Sequence, residues 1–188
     1  MKNKKGTLLM VFLFAATLIA ATLGYRYFSK IYTPPIQEQP TVPAPMAAPD
    51  FTVKNQEGEM VDLSDSFGKP IVVNFWATWC DPCKAELPSF QAAYDAYGQD
   101  VTFLMVNLVD NYVEFEDDVR AFVEEEGYTL PVYYDVDFSA VDAYDPPGTP
   151  ATVFIDARGN VVDAVTGALS FPALEAFLQK HGFIDAPQ

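Results

Sequence analysis

The chain has 188 residues, half of them hydrophobic, which is enough to bury one substantial core but short for two ordinary domains. Its 11 basic and 26 acidic side chains give a formal net charge of −15. All the acidic residues but only six of the basic ones follow residue 30, so that part of the chain has a net charge of −20. Such a surface repels phosphate backbones, which argues against nucleic acid as a partner.

Residues 7–25 contain no charge, and three lysines precede them. A stretch of about 19 apolar residues can span a bilayer, whereas a cleaved signal has an apolar core of about 7–15 residues. We therefore expect residues 1–30 to form a cytoplasmic N-terminus and one membrane-spanning anchor. A cleaved signal peptide remains the alternative, because residues 15–21 are rich in alanine. The positive flank predicts that the rest of the chain lies outside the cytoplasm.

A proline-rich segment, residues 31–49, comes next and predicts an extended, semi-rigid spacer. Residues 50–188 are predicted to form one folded domain. Its first half is predicted to contain a β-hairpin of residues 51–53 and 60–63, a helical turn at 64–68, a buried strand at 71–77 and a helix from Asp81 to Tyr97. Pro82 lies in the first turn of that helix, where proline is tolerated, and Pro88 lies inside it, where a kink is expected.

The second half of this domain alternates predicted strands and helices. The elements are a buried strand at 101–109, an amphipathic helix at 116–127, a short strand at 132–134, a short helix at 138–144, a hairpin of 151–156 and 161–165, and a last helix at 170–181. This alternation is typical of a βαβ unit with a right-handed crossover. The chain is therefore predicted to be an α/β protein.

The two cysteines of the chain, Cys80 and Cys83, belong to the run Trp-Ala-Thr-Trp-Cys-Asp-Pro-Cys at residues 76–83. A structural disulfide usually closes a long loop, so a ring of four residues favours a redox couple. Cys80 follows a buried strand and starts a helix, where free backbone N–H groups and the helix dipole favour a thiolate. Cys80 is therefore the predicted nucleophile. Cys83, one turn further along and more shielded, is predicted to resolve the mixed disulfide.

Metal binding is the main alternative for two cysteines at this spacing. A closed zinc site needs four Cys or His ligands, and the chain offers two cysteines and His181. His181 lies near the end of the last predicted helix, where a histidine usually has an electrostatic role. We therefore expect neither a metal nor another cofactor.

Three segments carry a family resemblance: Ala-Pro-Asp-Phe at residues 48–51, the run from Gly68 to Pro88, and Gly-Thr-Pro-Ala-Thr-Val-Phe-Ile-Asp at residues 148–156. In combination they resemble the membrane-tethered thioredoxin-like proteins of the TlpA/ResA type. The resemblance covers roughly residues 46–183. It implies a thioredoxin-like fold with a central mixed sheet, an N-terminal β-hairpin and an inserted helix–strand segment around residues 110–134.

The same resemblance implies an activity and a location. It implies a thiol–disulfide oxidoreductase in the bacterial cytoplasmic membrane, with a single span and its catalytic domain on the extracytoplasmic side. Disulfide-containing proteins would be its substrates, such as apocytochrome c before haem attachment. A membrane thiol carrier would supply the electrons.

Several residues around the cysteines gain roles from the resemblance. Thr149 and Pro150 match the family's cis-proline loop, in which backbone groups of Thr149 pair with the substrate, and an ordinary turn is the alternative. Trp79, Asp81 and Pro82 are also expected at the substrate-binding surface, with Trp79 shielding the disulfide. Asp81 is expected to disfavour a thiolate and so to favour a reducing couple.

Glu86 matches a carboxylate that is placed in this family to influence the cysteine pair. It follows Cys83 by three residues, so the two share a helix face. A partly buried carboxylate there would raise the cysteine pKa values and could relay the proton of Cys83, which makes Glu86 a third catalytic candidate. The alternative is a solvated glutamate that the helix dipole favours in the first turn.

Two other functions remain open at this point. A thiol peroxidase of the peroxiredoxin or glutathione peroxidase kind shares the Ala-Pro-Asp-Phe opening, but the second cysteine one turn away fits such an enzyme poorly. A copper-binding module of the SCO type has three residues between its cysteines and a distant histidine, whereas two residues separate Cys80 from Cys83.

Overall fold

The structure is a computed structural model, and it describes residues 13, 14, 17, 18, 20–23 and 46–185. The chain divides into two compact units, Met1–Thr41 and Val42–Gln188. Most of the predicted membrane segment and residues 31–45 of the predicted spacer lie outside the described residues. None of the helices in the described part of the chain has both the length and the apolar character needed to cross a bilayer.

The second unit is built on one eight-stranded mixed sheet. In chain order its elements are β1 (Met46–Ala47), β2 (Thr52–Lys54), β3 (Met60–Asp62), a 3-10 turn (Leu63–Ser66), β4 (Ile71–Trp76), α1 (Asp81–Tyr97), β5 (Thr102–Asn107), α2 (Glu116–Glu126), β6 (Val132–Tyr134), α3 (Ser139–Tyr144), β7 (Ala151–Ile155), β8 (Asn160–Thr166) and α4 (Phe171–Lys180). The strand order is β1-β8-β7-β4-β5-β6-β2-β3. Strands β4, β5 and β6 run parallel, and β7 runs antiparallel to β4.

Strand β4 lies at the centre of the sheet, and all six of its residues are buried. Successive side chains of a strand point to opposite faces. Val72 and Trp76 accordingly pack in the cluster that holds buried residues of α1, α2 and α4, whereas Ile71 and Phe75 pack in the cluster on the α3 side. Asn74, between Val72 and Trp76 in this alternation, faces the side of the sheet that α1 covers.

The α/β class, the N-terminal hairpin and the inserted helix–strand segment are confirmed, the last as α2 and β6. One strand was not predicted. Met46–Ala47 pairs with Val161 and Asn160 of β8, although these two residues fall within the segment assigned to the spacer. Two residues carry too little periodicity to mark a strand, and only the pairing with the distant β8 defines this one.

Candidate active site

The two cysteines lie where β4 gives way to α1. Cys80 is the N-cap residue of this 17-residue helix, and its Sγ accepts a hydrogen bond of 3.2 Å from the backbone N–H of Cys83. The two residues are joined by a disulfide, with their Cα atoms 5.2 Å apart. Cys83 is fully buried and Cys80 slightly less so, which confirms the predicted difference in shielding. A donor aimed at Cys80 Sγ favours a thiolate on that sulfur rather than on Cys83.

The residues beside the cysteines face solvent. Trp79 is 54% exposed, and Pro82 is exposed as well. The side chain of Asp81 is 91% exposed and forms an ion pair of 2.9 Å with Lys84. Because solvent and this lysine screen its charge, Asp81 acts on the cysteines less strongly than a buried carboxylate would. The exposed face next to Cys80 is thus open to a partner.

The Thr149-Pro150 peptide bond is cis, which confirms the prediction and excludes the ordinary turn. Pro150 directly precedes β7, whose first residue, Ala151, pairs with Phe75 of β4. The antiparallel register places Pro150 at the end of β4 from which the chain continues to Cys80. Thr149 is partly exposed at this end of the sheet, so its backbone is within reach of a molecule bound over the cysteines.

Glu86 lies on the inner face of α1, one turn beyond Cys83, and is only 2% exposed. Its Oε2 accepts a hydrogen bond of 2.8 Å from the backbone N–H of Leu169, and its Oε1 accepts one of 2.9 Å from Nδ2 of Asn74. Burial raises the pKa of Glu86 to about 7, against the opposing effect of these two donors. The solvated first-turn alternative is therefore wrong, and the carboxyl can gain or lose a proton near neutral pH.

Asn74 connects the environment of Glu86 to the rest of the sheet. Besides Glu86, its Nδ2 donates a hydrogen bond of 3.1 Å to Oγ1 of Thr152, which lies opposite it on β7. Thr152 follows Pro150 by two residues, so one buried polar network joins α1, β4 and the start of β7. The sequence reading missed Asn74, although one amide within the apolar run 71–77 was a signal that could have drawn attention to it.

A second buried carboxylate, Glu114, was also missed. Its Oε1 accepts hydrogen bonds from the backbone N–H of Thr78 (2.6 Å) and from Nδ2 of Asn107 (2.8 Å), and its Oε2 accepts one from Oγ1 of Thr78 (2.7 Å). Glu114 belongs to the segment that follows β5, whereas Thr78 is two residues before Cys80. This carboxylate therefore fixes one loop against the other beside Cys80.

Within the described part of the chain, no three His, Cys, Asp or Glu side chains are grouped so that they could hold a metal ion. His181 lies away from the cysteines, with its Nε2 2.9 Å from Oδ2 of Asp163. What the arrangement offers is a pair of sulfurs that form a disulfide, one of them near the surface, with a buried carboxyl one helical turn away.

The AhpC/TSA family model matches residues 46–164. The thiol-disulfide oxidoreductase ResA of Bacillus subtilis strain 168 is 31% identical over 154 residues, which are 81% of this chain and 82% of ResA. The ResA of Oceanobacillus iheyensis is 39% identical over 136 residues, which are 70% of this chain and 69% of that protein.

Among solved structures, StoA from Bacillus subtilis matches with a TM-score of 0.61 and 29% identity, over 73% of this chain and 98% of StoA. A putative thiol:disulfide interchange protein DsbE from Chlorobium tepidum matches with a TM-score of 0.61 and 27% identity, over 74% of this chain and 96% of that one. These matches confirm the predicted thioredoxin-like fold. The chain therefore belongs to the AhpC/TSA family and, with its ResA relatives, to the thiol–disulfide oxidoreductases.

Proposed function

We propose that the chain is an extracytoplasmic enzyme that reduces disulfide bonds of protein substrates through Cys80 and Cys83. The observation that carries this proposal is the asymmetry of the pair. Cys80 Sγ caps a helix and accepts the N–H of Cys83, while Cys83 is fully buried beside the polar network of Glu86. The slightly exposed sulfur of Cys80 is thus suited to attack, and the fully buried sulfur of Cys83 to resolve.

In the reducing direction the reaction has two exchanges. The Cys80 thiolate attacks one sulfur of the substrate disulfide, forms a mixed disulfide and releases the other substrate sulfur as a thiolate. Cys83, as a thiolate, then attacks Sγ of Cys80, closes the Cys80–Cys83 disulfide and releases the second substrate sulfur. The substrate gains two electrons and the enzyme loses two. A dithiol donor returns the enzyme to its reduced form by the same exchanges.

Glu86 supplies the proton transfer for the second exchange. Cys83 is buried, so its thiol must lose a proton to a group inside the domain before it can attack. The carboxylate of Glu86 lies one turn away on the same helix, and its pKa of about 7 allows it to accept that proton at neutral pH. In the reverse direction the protonated carboxyl returns the proton to Cys83.

The substrate and the location belong to the same proposal. The names of the ResA relatives support disulfide exchange as the reaction. The apolar N-terminal stretch flanked by lysines supports a single-pass anchor in the bacterial cytoplasmic membrane with the catalytic domain outside. Apocytochrome c is a candidate substrate, and a membrane thiol protein is the candidate donor.

Reduction of insulin by the purified full chain, with dithiothreitol as donor, tests the activity. The wild-type chain is expected to accelerate precipitation of the insulin B chain, and Cys80→Ala is expected to abolish that effect. Peroxide consumption and copper titration run in parallel. Rapid peroxide turnover, or tight copper binding, without insulin reduction would assign the chain to the peroxidase or the copper-binding alternative instead.

Labelling of intact bacteria that express the full chain tests the location. After mild reduction, a membrane-impermeant maleimide should modify Cys80 in whole cells. Labelling that requires cell lysis would contradict the extracytoplasmic assignment and leave the disulfide chemistry unaffected.

A further inference from the structure

The segment that joins β5 to α2 exposes large apolar side chains beside the cysteines. Tyr112 is 90% exposed and Val113 is 67% exposed, in the middle of what we call the 110–115 loop. Trp79, next to Cys80, is more than half exposed as well. Exposed apolar side chains do not contribute to the hydrophobic core of the free protein. A group of them on one surface indicates a contact site for another molecule.

The 110–115 loop has a defined shape, because two carboxylates organise it. Oδ1 of Asp110 accepts hydrogen bonds from the backbone N–H groups of Tyr112, Val113 and Glu114 at 2.8, 2.8 and 2.9 Å. These hydrogen bonds lower the pKa of Asp110, and the one from the N–H of Glu114 has the largest effect. Asp110 therefore stays ionised at neutral pH. The loop therefore presents Tyr112 and Val113 without first having to order itself, which reduces the entropic cost of binding.

The same loop is joined to the segment that carries the nucleophile. Both oxygens of Glu114 accept hydrogen bonds from Thr78, at 2.6 and 2.7 Å. Val113 is the neighbour of Glu114, and Trp79 is the neighbour of Thr78. The loop that exposes Tyr112 and Val113 is consequently fixed against the segment that carries Trp79 and Cys80.

Charge defines what can bind there. Asp117 and Asp118, just after the loop, are exposed acidic residues. The chain beyond residue 30 carries a net charge of −20, so the whole domain attracts positive charge. A partner for this face needs apolar side chains that contact Trp79, Tyr112 and Val113. It also needs basic side chains that face the exposed acidic residues beside the loop.

We propose that Trp79, Tyr112 and Val113 form a docking surface for the substrate protein, which binds through an extended segment carrying apolar and basic residues beside its disulfide. This inference rests on the proposed function, since it assigns the polypeptide context of the disulfide that Cys80 attacks. Through this surface the enzyme recognises the substrate polypeptide around the disulfide, in addition to the disulfide itself. A small disulfide, which lacks that chain, gains nothing from the surface.

The test compares three disulfides as oxidants of the pre-reduced full chain. Two are synthetic peptides of equal length, each closed by one disulfide: one has Leu, Phe and Lys beside its cysteines, and the other has Ser and Glu. The third is hydroxyethyl disulfide. The wild-type chain is expected to react about tenfold faster with the apolar, basic peptide than with the polar, acidic one, which corresponds to one well-placed contact residue.

The double variant Tyr112→Ser/Val113→Ser should lose most of this preference and keep its rate with hydroxyethyl disulfide. Its matched control is Met46→Ser/Met60→Ser, which alters two exposed residues on the outer strands β1 and β3. The control should keep the wild-type preference. A second variant, Val113→Lys, should react more slowly with the basic peptide and faster with the acidic one.

The outcomes separate this inference from the proposed function. If the wild-type chain reacts with none of the three disulfides, the proposed function fails, and the docking surface with it. If it reacts but the Tyr112/Val113 variant keeps the preference, or slows all three reactions equally, the docking surface alone is overturned. A change in the sedimentation of the variant, with unchanged peptide rates, would assign the patch to a second copy of the chain and also overturn the inference.

Discussion

Glu86 and Glu114 are both buried carboxylates close to the cysteine segment, but their surroundings differ. Glu86 lies on α1 and accepts two hydrogen bonds, one per oxygen, and burial dominates its electrostatics, so that its pKa is raised to about 7. Glu114 lies in a loop and accepts three hydrogen bonds, which come from Thr78 and Asn107. Burial alone therefore does not give a carboxylate its role: Glu86 is suited to proton transfer and Glu114 to holding two loops together.

The largest effect is expected from Glu114→Ala. The substitution leaves the N–H of Thr78, which is partly buried, and the buried amide of Asn107 without their acceptor, and each such loss costs about 1–3 kcal/mol. The free energy of unfolding of the oxidised full chain should fall by about 4 kcal/mol in urea titrations. Glu125→Ala, at an exposed position on α2, is the control and should change it by less than about 0.5 kcal/mol. An equal change in the free energy of unfolding of the two variants would contradict the role of Glu114 in holding the two loops together.

Glu86→Gln should have a pH-dependent effect on stability. A carboxyl whose pKa is raised on folding stabilises the fold below its unfolded pKa, near 4.5, and loses that contribution as the pH rises to about 7. Relative to wild type, the Gln variant should therefore gain about 2.5 kcal/mol between pH 5 and pH 8. Asn74 tolerates the new amide, because its Oδ1 has no hydrogen-bond partner among the described residues and can accept from it after rotation. A difference that stays constant over this pH range would contradict the raised pKa.

Glu86→Gln should also slow the second exchange selectively. When the reduced chain reacts with Ellman's reagent, attack by Cys80 releases one thionitrobenzoate and attack by Cys83 releases the other. The second phase should become roughly a hundredfold slower, since a positioned base is lost. In wild type its rate should rise with pH through about 7, where Glu86 becomes able to accept a proton, and this rise should disappear in the variant. Equal slowing of both phases would indicate a structural effect instead.

The smallest effect is expected from Asp81→Asn. Asp81 lies between the cysteines, but its side chain is exposed and paired with Lys84. Both phases of the Ellman reaction should change by less than about threefold, because an exposed ion pair contributes little. If Asp81→Asn changed the rate of either phase as much as Glu86→Gln changes the second phase, the exposed carboxylate of Asp81 would influence the cysteines as strongly as the buried one of Glu86. That result would contradict this prediction.

The sequence predicts the elements around the cysteines well, because their signals are local. The apolar run of β4 and the helix start at Cys80 each predict one local feature, and the structure has both. The cis bond before Pro150 was expected from the family resemblance and is also present. Glu114 and Asn74 were not predicted, because their partners are distant in the chain: Glu114 reaches Thr78 across 36 residues, and Asn74 reaches Thr152 across 78. Only the parallel pairing of β4 with β5, and the antiparallel pairing with β7, bring these groups together.

The division of labour between Cys80 and Cys83 is tested most directly by trapping the mixed disulfide. The full chain with Cys83→Ala, mixed with a peptide whose single cysteine is joined to thionitrobenzoate, should release thionitrobenzoate and form a stable adduct of one peptide per chain, located at Cys80 by mass spectrometry after proteolysis. The Cys80→Ala chain should form little adduct, since the buried Cys83 is shielded from the peptide. Equal adducts in the two variants, or an adduct on Cys83 alone, would contradict the assignment of Cys80 as the nucleophile.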